Sequence, residues 1–331
     1  MSNIQKKKEA NSFKEQAIEA AKKDEYMSAS FYAMKALKLY GEISDSKGIQ
    51  ELKKLSVEYT KKSEAQMQSH EISVPIDEKM ITALEEIVTG LTSSDSLEEN
   101  LEKIVNTREL LPSFQQAKKT AKEIVPVTAQ LVTHIGVGDD GHITSFDNFE
   151  DSWLLENYGF QMNLTISLLD RVMPELLIKK QLNEKNLMEL ITSKGIFAPD
   201  FLLKLEAGLE RRFANDYFSS LHILVPLFEK TFMHFSGLLG LDVYTFNGKK
   251  SSTRNKTLSI EMLQSKEYID VWGEDYCYML GYFLYGPNAQ RFRHKIAHGD
   301  IRMNECNFTT FNIVFYLLLR VILKVKLTPK D

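Results

Sequence analysis

The side chains of this chain best suited to chemistry gather between Arg291 and Arg302. That stretch holds Arg291, Arg293, Lys295, Arg302, the histidines His294 and His298, and a single acid, Asp300. A neutral imidazole beside guanidinium groups is what metal-free RNA cleavage requires. The imidazole takes the proton of a ribose 2′-hydroxyl, and arginine steadies the charge that builds on the phosphorus centre. An unperturbed histidine pKa of ~6.5 leaves the ring able to accept a proton near neutrality. The competing explanation is electrostatic: cations near a helix C-terminus complement the carbonyl end of its dipole. His294 and His298 are four residues apart, a metal-compatible spacing, but no HExxH pattern and no third ligand accompany them. No metal and no other cofactor is expected.

Helical geometry constrains which of these groups can meet. Residues five apart diverge by about 140° on a straight helix, at ~100° per residue. Arg293 and His298 therefore converge only if the helix ends near Ala297 or the long guanidinium arm reaches back. Gly299 favours the first, because glycine commonly ends helices in the left-handed region. Arg291 and His298, seven apart, share a face without such a break, so Arg291 is the second candidate for the anion contact.

The spacing Arg293-x4-His298 matches the Arg-x4–6-His signature of the HEPN superfamily (higher eukaryotes and prokaryotes nucleotide-binding). More closely, Arg293-His294-x-x-x-His298-Gly299 resembles the Arg-Asn-x-x-x-His-Gly motif of a domain-of-unknown-function family placed in it. Two upstream segments agree in order and spacing. Leu224-Val225-Pro226-Leu227-Phe228-Glu229 resembles that family's L-x-P-x-x-E helix, and Thr257-Leu258-x-x-x-Met262-Leu263 its T-L-x-x-L-L segment. The resemblance covers roughly residues 200–325. It implies a bundle of about four helices, usually dimeric, with arginine and histidine of both subunits meeting in one cleft. Many such proteins are metal-independent ribonucleases in defence or toxin systems; others only bind RNA or partners. Carried over by position, Arg293 would hold the phosphate and His298 would be the general base. His294 takes the polar place usually filled by asparagine and would orient the site, although it can itself titrate. Arg291, Lys295 and Arg302 would contact the substrate, with Glu229 and Asn288 in support. Glu229, on an otherwise apolar helix face, pairs with Arg293 or Arg291 or else faces solvent.

Other motifs carry less. The run from Asn247 to Thr257 has four cations and no acid but lacks the glycine pattern of a P-loop, and is expected to be a solvated loop. Gly136-x-Gly138-x-x-Gly141 spells a dinucleotide fingerprint, yet no helix is predicted after it and Asp139-Asp140 would repel a pyrophosphate. His134 and His142 flank a predicted turn and are read as structural. Tyr276, Tyr278, Tyr282, Phe283 and Tyr285 precede the basic run and are expected to pack, with one or two stacking on bases.

The elements that must position these groups are mainly helices. Gly and Pro make up about 7% of the 331 residues against a usual ~12%, which disfavours a sandwich or propeller. The net charge of −4 rules out polyanion binding by bulk charge but leaves a local basic patch open. Two cysteines are too few for a disulfide scaffold. No apolar run near the start reads as a signal peptide, and Phe311–Val325 is too short to span a bilayer. A cytoplasmic protein without a membrane partner is expected.

Three regions follow along the chain. Residues 1–70 form helical hairpins, with a stripe of Ala29, Ala33 and Ala36 that weakly resembles a tetratricopeptide repeat and could dock a protein partner. Residues 71–198 are a helical middle region with a β-hairpin near 131–146 around Gly138-Asp139-Asp140-Gly141. Residues 199–331 form the HEPN-like domain. The function expected is a metal-independent endoribonuclease acting on single-stranded RNA as a homodimer. The alternatives are a non-catalytic RNA- or nucleotide-binding module and a helical interaction scaffold.

Overall fold

The computed structural model describes residues 2–66, 77–125, 135–137, 143–146, 149–179, 182–247, 252–286 and 290–324. The fold is mainly α, with a small antiparallel hairpin in the middle of the chain. Contacts divide the chain into two compact units, residues 1–75 with 125–152 and residues 76–124 with 153–331.

In the first unit, α1 (Asn3–Lys22), α2 (Tyr26–Glu42) and α3 (Ser46–Glu64) pack in sequence. Ala10, Ala17 and Ala20 on α1 and Ala29, Ala33 and Ala36 on α2 are all buried. Side chains this small let the two axes approach closely. Tyr40, Leu52 and Tyr59 complete the core. Polar ties of Lys6 to Glu42 and Lys14 to Glu51 run along the surface. The hairpin consists of β1 (Ile135–Val137) and β2 (Ile143–Phe146), with Ile135 opposite Phe146 and Val137 opposite Ile143. Its turn, with His134 and His142, lies outside the described residues, as does the expected linker at 69–75.

The second unit holds α4 (Glu78–Leu91), α5 (Leu97–Asn106), α6 (Phe114–Glu123), α7 (Phe149–Lys179) from Trp153 onward, α8 (Glu184–Ser193), α9 (Pro199–Phe213) and α10 (Tyr217–Leu238). A second hairpin follows, β3 (Tyr244–Asn247) and β4 (Ser252–Asn255). Short helices α11 (Ile260–Leu263), α12 (Lys266–Trp272) and α13 (Glu274–Leu280) lead to α14 (Phe292–His298) and α15 (Phe308–Lys324). One hydrophobic cluster runs from Leu84 to Leu323. Helices of the expected middle region therefore share a core with those after residue 198. They do so because α15 is buried on every side from Phe311 to Leu323, so it needs apolar partners all round.

Several polar side chains inside this core find partners. Arg320 donates to the Val105 carbonyl at 2.6 Å and to the Tyr316 hydroxyl at 3.0 Å, and it stacks over Tyr276. Asn312 and Thr309 both donate to Asp170 on α7. The helices α9 and α10 meet at Gly208, where an added Cβ would lie 2.5 Å from Leu224. Among the described residues no helix is long and apolar enough to cross a membrane.

Candidate functional site

The site is organised by the ends of α14. Arg291, directly before it, has φ 51°, a left-handed conformation that costs a non-glycine residue roughly 1–2 kcal/mol. Gly299, directly after it, has φ 74°. The Gly299 amide donates to the Ile296 carbonyl and the Asp300 amide to that of Lys295, a Schellman closure that stops the helix at His298. The helix thus ends one residue later than Ala297, so Arg293 and His298 both lie within it and keep the angular offset of a regular helix. His298 is exposed on the last turn.

Arg293 is held from behind. Its Nε donates to Glu229 Oε2 at 2.8 Å, with the arginine side chain 30% exposed and the glutamate 14%. The other oxygen, Glu229 Oε1, accepts the Leu258 amide at 3.2 Å. The three segments singled out in the sequence, on α10, before α11 and on α14, therefore converge on one carboxylate. Pairing with Arg293 resolves the open choice between Arg293, Arg291 and solvent. The terminal guanidinium nitrogens of Arg293 have no partner among the described residues.

His294 and His298 lie side by side, ring centres 4.2 Å apart and planes tilted by 42°. Partial burial lowers the His294 pKa first, followed by the charge of Arg291 and the neighbouring His298. Arg293 adds to the lowering and Asp300 opposes it. His294 therefore sits within electrostatic reach of all four groups and is neutral near pH 7.

The remaining candidates divide. Lys295 turns to Glu305 at 2.6 Å, and Glu305 also accepts the Arg302 amide at 2.9 Å. Lys295 is thereby drawn toward a carboxylate just past the basic run, and Arg302 stays exposed. Arg291 is half-buried and has no partner among the described residues. Asn288 lies outside the described residues.

One contributor was not anticipated. Glu305 was missed because it falls beyond the cationic run. The Tyr285 hydroxyl is buried without a hydrogen-bond partner among the described residues. Burial, reinforced by the Glu229 charge, raises its pKa well above the ordinary tyrosine value. It closes a single π-turn over Gly281–Tyr285, where Phe283 stacks on Phe292 of α14. Irregular turns of this kind often mark functional regions. No group of three or more metal-binding side chains occurs among the described residues. Comparison with family models, curated proteins and solved structures finds no match to the chain, so the site is interpreted from its own geometry.

Proposed function

We propose that the chain is a metal-independent endoribonuclease of HEPN type. The observation that carries this reading is an imidazole pair at a helix end, flanked by one arginine oriented by a carboxylate and a second with no partner among the described residues. In the proposed step, His298 removes the 2′-hydroxyl proton and the freed oxygen attacks the adjacent phosphorus. The bond to the 5′-oxygen breaks and that oxygen takes a proton from water, leaving a 2′,3′-cyclic phosphate on one fragment and a 5′-hydroxyl on the other. Arg293, aimed by Glu229, stabilises the charge on the non-bridging oxygens. His294, uncharged, orients the neighbouring ring without repelling the proton it receives. Arg291 and Arg302 bind flanking phosphates, and a second copy completes the cleft.

The test is cleavage of a mixed single-stranded RNA in EDTA by wild type, His298→Ala and Arg293→Ala. Cleavage by wild type alone, ending in cyclic phosphates, supports the reading. Metal dependence or 5′-phosphate ends overturn the mechanism. The pairing of Lys295 with Glu305 favours a second reading, since it removes a cation that turnover could use and leaves an RNA-binding surface. Retention of RNA without cleavage by any of the three proteins would select it. A strict monomer at micromolar concentration would remove the composite cleft.

A further inference from the structure

The hairpin of β3 and β4 presents an aromatic face that the core does not use. Tyr244 pairs with Asn255, Thr245 with Arg254 and Phe246 with Thr253. Strand alternation puts Tyr244 and Phe246 on one face with Thr253 and Asn255, and Arg254 on the other. Tyr244 is 59% exposed and Phe246 69%, and all of β4 is exposed. Arg254 has no partner among the described residues.

The composition around these rings indicates what they meet. From Val243 to Thr257 the chain carries Lys249, Lys250, Arg254 and Lys256 and no acid. Asp242, just outside, pairs with Lys256 at 2.7 Å. Exposed rings on a segment with four cations and no acid suit a polyanion whose units have flat apolar faces. The spacing selects its form. Residues two apart on a strand lie about 6.7 Å apart, roughly twice the 3.4 Å rise of stacked bases in a duplex. Only an unstacked, extended strand offers successive bases to both rings.

The hairpin is also tied to the site. The Lys256 amide donates to the Val243 carbonyl at 2.8 Å, continuing the ladder toward the core. Two residues later the Leu258 amide binds Glu229, the carboxylate that holds Arg293. Leu258 is three positions after Asn255, a span of at most about 11 Å.

We propose that the Tyr244–Phe246 face is a base-stacking subsite that holds single-stranded RNA on its way to Arg293 and His298. This rests on the endoribonuclease reading, whose substrate it specifies: an unpaired strand, gripped a few nucleotides from the cut by stacking rather than by base-edge contacts.

The test uses the full chain carrying His298→Ala to stop turnover, with and without Tyr244→Ala/Phe246→Ala. Three fluorescein-labelled probes are titrated: a short mixed single-stranded RNA, its duplex, and an abasic ribose-phosphate chain of equal length. A stacked base contributes about 5- to 150-fold in affinity. The double substitution is therefore expected to weaken single-strand binding at least about tenfold, leave abasic binding unchanged and erase the preference over duplex. Tyr244→Phe/Phe246→Tyr should keep wild-type affinity. Equal single-strand affinity after the double substitution overturns the subsite, as does a parallel fall on the abasic chain. If affinity is unchanged but the double substitution converts a dimer to a monomer, the rings face a second copy and the subsite is again overturned. In the His298-intact protein, ring-dependent RNA binding without cleavage would sink the nuclease reading alone, whereas cleavage indifferent to the rings sinks only the subsite.

Discussion

Glu229 holds two partners at once: the Arg293 guanidinium on one carboxylate oxygen and the Leu258 amide on the other. One acid thus fixes the aim of a cation and the end of the hairpin segment. Glu229→Gln keeps the shape and one acceptor but removes the charge that orients the guanidinium. The substitution should cost about 1–2 kcal/mol in denaturant unfolding, the scale of a charge-assisted hydrogen bond. It should also lower RNA cleavage more than Lys295→Gln does. Equal cleavage by wild type and Glu229→Gln would show that the pair is only structural.

His294 gives a pH signature. Its folded-state pKa is lowered, chiefly by burial, below the unfolded value. The unfolded chain therefore takes up the proton first as pH falls. Its contribution to stability is complete above ~6.5 and declines as pH drops through that value toward the lower folded pKa. Thermal midpoints measured from pH 5 to 8 should fall less toward acid in His294→Asn than in wild type. Parallel curves would remove this residue as a source of the dependence.

Gly299→Ala tests the helix stop. Nothing lies within 4 Å of a Cβ built at Gly299, so the substitution is strained only through φ 74°. A loss of about 1 kcal/mol is expected from the left-handed backbone. Because His298 sits on the turn that Gly299 closes, RNA cleavage should fall further than the stability loss explains. An unchanged cleavage rate at full folding would detach the Schellman closure from function.

Arg320 is the buried cation of the core. It is 4% exposed and has no carboxylate partner among the described residues; Val105, Tyr316 and the Tyr276 ring take its place. Arg320→Ala leaves a cavity and unpaired buried acceptors, so about 3 kcal/mol of destabilisation is expected by denaturant unfolding. A change under about 1 kcal/mol, ordinary for a surface substitution, would contradict this account.

Much of the secondary structure was legible before any coordinates. The scarcity of Gly and Pro indicated a mainly helical chain, as found. The small β signal near 131–146 appears as strands Ile135–Val137 and Ile143–Phe146. The stop of α14 was also legible, because Gly299 stands where a left-handed glycine ends the helix.

What the amino-acid order determined by itself was local: helix content, the alanine stripe, the cationic run and its stop at Gly299. Each depends on residues within a few turns of one another. The tertiary structure decided the rest. Which cation Glu229 takes, that Lys295 turns to Glu305, that Arg291 has no partner among the described residues, and that α4, α5, α7 and α8 share one core with α15 are outcomes of long-range packing. A charged side chain has several partners of equal merit along the chain. The choice among them is made by which backbone segments the burial of α15 brings within hydrogen-bond reach.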